Sequence, residues 1–592
     1  MRGIAVSHTC TKVQGKTVSV GEYLWLRLQE LGVRHVFGVP GDFNLGMLEQ
    51  LLKQPGMSWV GCCNELNAAY AADGYARLRG IAALATAYGV GELSAVNGLA
   101  GAYAERVPVV AITGAPPLSH MQRRSWMHHT LGDGEYGNTL ASIAPFTVAR
   151  AVLTQANAPM EIDRVLRTCL RERRPVYLQL PTDVCFQQVP APEAPLEREE
   201  AVSDRSSLRA LLEELVPRLR GARRSVLLVD SDVQRFGLGA RVVALAESAG
   251  MPIASLSSGR GLIDEAHEAF LGFYGGRLSD PSVREWVDGA DCVVGLATRF
   301  MDLNTHSFTQ RLEPSRFVDL QPTTAALGRA EAPWLPSLHS GLVLGEVLDA
   351  LREALGGQKR QDFVPRSLRL RAQVATRPAA PVGRSEGPLT HAQLWPALAT
   401  LLESEDVLVV EAGSPMVGFA STQLPRGVSW VAQPLWCSIG YTLPAVLGTS
   451  LAAPERRQVL FIGDGSFLMT AQELSTLLHL KLKPLVFLIN NAGYTVERLI
   501  VGPESAYNDI PKWNYPAVCD ALGAAGQSLT LLIEKPEQLA PVLAEAVRAQ
   551  RDGRLVFVEV RLAPLDAPAG LAQLGASVYS LSYREDSGLP RF

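Results

Sequence analysis

The chain has 592 residues, 47% of them hydrophobic and 19% charged, with a formal net charge of -4. That length exceeds what one hydrophobic core can organise and suggests roughly three or four domains, of which three is the reading taken, while the composition argues against a disordered or fibrous chain. A weakly acidic balance with no dense Lys/Arg run argues against a nucleic-acid partner, and no apolar stretch reaches membrane-spanning length. The N-terminus, Met1 to His8, has no secretory-leader pattern. Eight cysteines without a CxxC or a Cys/His cluster predict reduced thiols in a cytoplasm.

In chain order, short apolar runs at Val33–Val39, Trp59–Cys63, Ala82–Tyr88 and Pro108–Thr113 predict strands. Helical segments at Leu45–Lys53, Leu66–Arg79 and Leu93–Glu105 alternate with them, and the pair Cys62-Cys63 falls at the end of a strand. A Pro- and charge-rich stretch from Val189 to Ser207 closes this part. The middle part has strands at Ser225–Val229, Ala290–Leu296 and Phe317–Leu320 and shows no comparable polar cluster, so its expected role is structural. A second break runs from Gly356 to Pro388. Beyond it, strands at Val407–Val410, Val459–Ile462 and Leu485–Ile489, with a helix at Ala471–Leu480, repeat the rhythm of the first part. The expectation is an α/β chain of three doubly wound parallel-sheet domains at 15–190, 205–358 and 385–578, with a tail at 579–592.

Polar motifs stand where apolar runs stop. Gly463-Asp464-Gly465-Ser466 ends one strand and Asn490-Asn491-Ala492-Gly493 ends the next, with Asn491 lying 27 positions after Asp464. That interval holds one helix and a return strand, so both side chains come to one sheet edge. A carboxylate and an amide oxygen there suit Mg²⁺, and the glycines and the helix beginning at Ser466-Phe467 suit a diphosphate. Either motif alone would read as a turn; the pair at this spacing favours a metal–diphosphate site.

With these motifs the sequence resembles the thiamine-diphosphate enzymes, and within them the pyruvate, indolepyruvate, phenylpyruvate and branched-chain 2-oxo acid decarboxylases. The resemblance runs from about Val18 to Leu574 and includes the strings beginning at Gly38, Cys62, His128, Gln433, Ser438, Gly493 and Tyr507. It implies thiamine diphosphate and Mg²⁺ as cofactors, with Asp464, Asn491 and the Gly493 carbonyl as metal ligands and Gly463, Gly465 and Ser466 around the diphosphate. It also implies that Glu65 hydrogen-bonds N1′ of the aminopyrimidine and so promotes loss of the C2 proton. Ile439 is expected to hold the cofactor bent, and the residue at Cys437 to accept from the 4′-amino group through its carbonyl. Asp42, His128, His129 and Glu497 match the proton-handling set; each alone could be a cap, a loop residue or a solvated helix residue.

Three residues depart from the family's pattern, the first bearing on local backbone geometry and the other two on specificity. Cys437 stands where most relatives carry glycine, and Met416 and Leu303 replace aromatic residues of the pyruvate-specific members. The pocket implied, Leu303, Ala412, Met416, Val496, Ile500 and Leu574, is apolar without an aromatic wall, which predicts bulky aromatic or branched-chain 2-oxo acids. Asp566–Gly575 resembles the C-terminal helix that covers the site, and no pattern is legible from Val578 to Phe592. A homodimer or homotetramer with sites between subunits is implied. The alternatives are a carboligase or synthase, such as an acetolactate synthase, and a catalytically idle cofactor-binding protein. The histidine pair argues against the first, and the retained Glu65 and metal ligands against the second. A nicotinamide dehydrogenase lacks its GxGxxG after the first strand.

Overall fold

The computed structural model describes residues 16–197, 201–332, 334–357, 387–420, 422–523 and 526–583. Three large sheets organise them, with a two-stranded antiparallel ribbon of Thr17–Ser19 and Gln188–Pro190 beside the first. The first contains six parallel strands, His35–Gly38, Ser58–Gly61, Ala82–Ala87, Val109–Ala115, Arg150–Val152 and Val176–Pro181. The third contains six more, Val407–Val410, Ser429–Val431, Gln458–Gly463, Leu485–Asn490, Ser528–Ile533 and Leu555–Arg561. Numbered by chain order, both sheets run 2-1-3-4-6-5, so the shared rhythm of the sequence reflects a shared topology. Central strands such as Val407–Val410 are buried on both faces, which is why they read as continuous apolar runs rather than alternating ones.

The middle sheet is parallel over its first five strands and adds two antiparallel pairings at one edge. Its seven strands run 3-2-1-4-5-6-7, and the sixth, Thr324–Leu327, pairs antiparallel both with Phe317–Leu320 and with the edge strand Ser337–Ser340. Against expectation, the middle domain holds a polar cluster. Asp232 is wholly buried between Arg106, at 2.7 Å, and Arg299, at 3.0 Å. Asp230, Ser258 and Asn304 form a hydrogen-bonded chain beside it. Arg299 also donates to the Ala104 carbonyl at 2.6 Å, so the cluster ties the middle domain to the first.

Four smaller expectations are also corrected. Strand Ser58–Gly61 ends before Cys62 and Cys63, which lie in the turn to the next helix. The segment expected as one helix from Leu93 is two, Val90–Ser94 and Val96–Ala104. The helix after Gly463 begins at Asp464 and tightens to a 3₁₀ turn at Ala471–Glu473. The C-terminal helix, Leu571–Ser582, continues past Ser577, where no pattern was legible. The break after Gly356 lies largely outside the described residues, as does the tail beyond Tyr583.

One apolar cluster joins the first and third domains across the helices Glu65–Arg79 and Thr442–Ala452. Their backbones approach so closely that a Cβ on Gly74 would strike the Ala445 carbonyl, and one on Gly448 the Ala71 carbonyl. Among the described residues no helix is long and apolar enough to cross a membrane.

Candidate active site

Glu65 is the first residue of helix Glu65–Arg79, whose N-cap Asn64 accepts from the Asn67 amide at 2.8 Å. A carboxylate is favoured at that end by the helix dipole. Glu65 is half-buried, and its Oε1 lies so close to Gly91 that a Cβ there would sit at 3.0 Å.

Asp42, His128 and His129 gather on loops of the same domain, their ligand atoms all within 4.8 Å of one another. His128 Nε2 lies 2.8 Å from Asp42 Oδ2, and Phe43 stacks on the His128 ring at 4.7 Å. His129 has a left-handed backbone, φ 63°. Its carbonyl presses on Gly89, itself at φ 65°, where no side chain would fit.

At the carboxyl ends of two adjacent strands of the third sheet, Asp464 is buried and accepts from the amides of Gly465 at 2.9 Å and Gly493 at 3.1 Å. Burial pushes its carboxyl up to about 6. The inner side-chain atom of Asn491 lies 3.3 Å from Asp464 Oδ1 and 2.9 Å from the Gly493 carbonyl oxygen; its outer atom lies 2.9 Å from Thr495 Oγ1. With its nitrogen inward the amide donates to both oxygens. With its oxygen inward, the outer N–H finds a lone pair on Thr495 Oγ1, whose proton goes to the Pro564 carbonyl at 2.8 Å. The Asn491 oxygen then stands from each of the other two oxygens at close to the edge of an octahedral Mg²⁺ shell, about 3 Å for Mg–O bonds of about 2.1 Å. A cation fits this donor set; beside it Gly463 has open space where a Cβ would stand, whereas a Cβ on Gly465 would strike the Tyr494 ring, and Ser466 is buried in the first turn of the helix, the end that favours an anion.

Between the two domains runs the turn Gln433–Thr442. It carries Cys437 at φ 50°, a left-handed conformation that favours glycine, and half-buried Ile439. Cys437 Sγ donates to the Pro434 carbonyl at 3.3 Å, and burial pushes the thiol up to about 12.

Ala412, Met416, Val496, Ile500, Leu303 and Leu574 are all half-buried. Val496 lies beside Gly413, where a Cβ would come within 3.2 Å of it, and Met416 packs against the third domain's core. The C-terminal helix bearing Leu574 lies on helix Thr495–Ile500; a Cβ on Gly575 would strike the Leu499 carbonyl at 2.5 Å. Ser577 Oγ reaches His306 Nε2 at 3.1 Å, in the middle-domain segment that includes Leu303. Glu497 is exposed on helix Thr495–Ile500. Among the described residues no hydrogen bond or ion pair joins Asp42, Glu65 or the histidines to Asp464, Asn491 or Glu497.

Sequence reasoning missed two buried carboxylates that hold the turn from either side. Glu105 accepts from the amides of Leu435 at 2.9 Å and Trp436 at 3.2 Å. Glu411 accepts from Gly440 and Thr442 at the other end. The available signal was a carboxylate directly after the apolar run Val407–Val410.

Residues 18–135, 212–349 and 412–560 match, in turn, the N-terminal TPP binding, central and C-terminal TPP binding domains of thiamine pyrophosphate enzymes. Fold and cofactor are those of that class. An alpha-keto-acid decarboxylase of Mycolicibacterium paratuberculosis is 41% identical over 560 residues, 94% of this chain and 96% of that protein. One of Mycobacterium leprae is 39% identical over 571 residues, 96% of each chain. The chain belongs to the alpha-keto-acid decarboxylase family of thiamine pyrophosphate enzymes.

Proposed function

We propose that this protein decarboxylates 2-oxo acids non-oxidatively to an aldehyde and CO₂, using thiamine diphosphate and Mg²⁺, with a preference for phenylpyruvate, indolepyruvate or 4-methyl-2-oxopentanoate. The observation that carries the reading is the cluster of Asp42, His128 and His129, joined by the 2.8 Å contact of Asp42 with His128. Releasing an aldehyde after CO₂ loss requires a proton delivered to carbon and another removed from a hydroxyl, and a carboxylate with two imidazoles supplies donors and acceptors for both.

When bound, thiamine diphosphate supplies a carbon nucleophile and the electron sink for decarboxylation. Asp464, Asn491 and the Gly493 carbonyl would hold Mg²⁺, and Gly463, Gly465 and Ser466 would accommodate the diphosphate. Glu65 would hold a proton at N1′, the Cys437 carbonyl would accept from the 4′-amino group, and Ile439 would press the two rings together. Glu497 would join the proton-handling set. The apolar side chains of Leu303, Ala412, Met416, Val496, Ile500 and Leu574 would receive the substrate's side chain and exclude water from the reacting carbon.

Glu65 and Asp464 stand on separate domains, and among the described residues no hydrogen bond or ion pair joins their carboxylates. This supports sites completed by a second copy, in a homodimer or homotetramer. The domain limits 15–190, 205–358 and 385–578 and a cytoplasmic location belong to the same reading. Incubating the holoenzyme with phenylpyruvate and following products by NMR tests it: free phenylacetaldehyde is expected, whereas a ligated hydroxyketone as main product would make the protein a carboligase.

A further inference from the structure

Glu411 directly follows strand Val407–Val410 and is 2% exposed. Its Oε1 accepts from the Ala412 amide at 3.1 Å; its Oε2 accepts from the Gly440 amide at 3.2 Å and from Thr442 Oγ1 at 2.7 Å. Every partner is a donor, as an ionised carboxylate requires. Among the described residues no Lys, Arg or His pairs with it. Burial therefore pushes its carboxyl up to about 7, and the ionisable side chains that feel its charge are Tyr70 and Cys437. A buried carboxylate without a counter-ion is costly to the fold, so its position calls for a reason beyond packing.

That reason lies in what it connects. Gly440 follows Ile439 directly and Thr442 comes two residues after Gly440, and Ala412 opens the segment that faces Val496. The far end of the turn is held by Glu105, and its centre by Ser438, whose hydroxyl meets Tyr70 at 2.5 Å and accepts from Asn97 at 3.1 Å. The left-handed backbone at Cys437 is thus strung between two buried carboxylates, one from each domain.

We infer that Glu411 is a positioning residue for the cofactor: through Gly440 and Thr442 it fixes the turn that presents the Cys437 carbonyl and Ile439 to the aminopyrimidine. This rests on the reading of that turn given above. In Glu411→Gln the new NH₂ must face one of the N–H or O–H donors, so the turn shifts while the diphosphate end of the site keeps its shape.

The test uses wild-type, Glu411→Gln, Thr442→Val and Thr442→Ser holoenzymes. Two quantities are read: the hydrogen–deuterium exchange rate at C2 of bound thiamine diphosphate, by NMR, and the affinity for inorganic pyrophosphate with Mg²⁺, by tryptophan fluorescence. Losing a hydrogen bond to a charged group corresponds to about 10- to 100-fold. Glu411→Gln is expected to slow exchange by that factor, Thr442→Val by about the lower end of the range, and Thr442→Ser to restore the wild-type rate, with pyrophosphate affinity unchanged throughout. Wild-type exchange in folded Glu411→Gln would overturn the inference, as would an equal loss of pyrophosphate binding, which would mark a structural role. If Glu411→Gln does not fold, wild-type exchange in Thr442→Val overturns it. A wild-type protein that accelerates exchange no more than free cofactor does would instead bring down the underlying assignment of the turn, and this inference with it.

Discussion

Asp42 Oδ2 and His128 Nε2 lie 2.8 Å apart, and the imidazole is sandwiched between this contact and the stacked ring of Phe43 at 4.7 Å. The pair is about half exposed on each side, so its worth to folding is small. Its geometry instead fixes which imidazole nitrogen faces the carboxylate. Asp42→Asn keeps the size of the side chain and removes the charge. We expect kcat to fall by about 10²- to 10⁴-fold, the range for a lost acid–base group, with cofactor affinity and melting temperature unchanged. Steady-state kinetics with a parallel cofactor titration checks this; an unaltered kcat would remove Asp42 from proton handling.

Glu65→Gln preserves the helix and its Asn64 cap but leaves no carboxylate at the helix start. Exchange at C2 of bound thiamine diphosphate should slow by orders of magnitude, while Mg²⁺-dependent binding of the cofactor changes little. An unchanged rate would reduce Glu65 to a helix-terminal charge.

Cys437 carries the left-handed backbone, φ 50°, that costs a non-glycine residue about 1–2 kcal/mol. Glycine relieves that strain but loses about 0.4–1 kcal/mol to its freedom in the unfolded chain. Cys437→Gly should therefore raise unfolding free energy by about 1 kcal/mol or less. Cys437→Val, with a β-branch in the same conformation, should lower it by about 1–3 kcal/mol. Urea unfolding of the cofactor-free protein separates the two.

In the proposed pocket, Met416 and Val496 would set the volume open to the substrate's side chain. Discrimination by volume is worth about 1–3 kcal/mol per methylene, or roughly 10–200-fold in kcat/KM. Met416→Trp should lower the preference for phenylpyruvate over pyruvate by a factor in that range. Because Met416 also touches the domain core, a thermal melt must show the variant folded. An unchanged ratio in a folded, cofactor-saturated variant would move the pocket elsewhere.

The legible part of this site was the part written locally. Gly463-Asp464-Gly465 and Asn490-Asn491 sit at strand ends because buried parallel strands are continuous apolar runs that stop where polar groups begin, and the chain between them fixes their common edge. The two antiparallel strands at the end of the middle sheet were not legible, since Ser337–Ser340 alternates half-buried with exposed positions and carries no apolar signal. Asp232, Glu105 and Glu411 were missed for a different reason. Each is a carboxylate whose partners come from distant segments, and only the closed fold turns an apparent surface charge into a buried one. The Asp42–His128 contact spans 86 positions; resemblance pointed to both residues, and periodicity could not have paired them.

The central claim is tested most directly by CO₂ release from a panel of 2-oxo acids, measured with added thiamine diphosphate and Mg²⁺ and again after complete chelation of the metal. The account predicts release from phenylpyruvate, indolepyruvate or 4-methyl-2-oxopentanoate well above that from pyruvate, abolished by chelation and restored by Mg²⁺. No CO₂ from any 2-oxo acid by folded, cofactor-loaded protein, or full release without the metal, would contradict it.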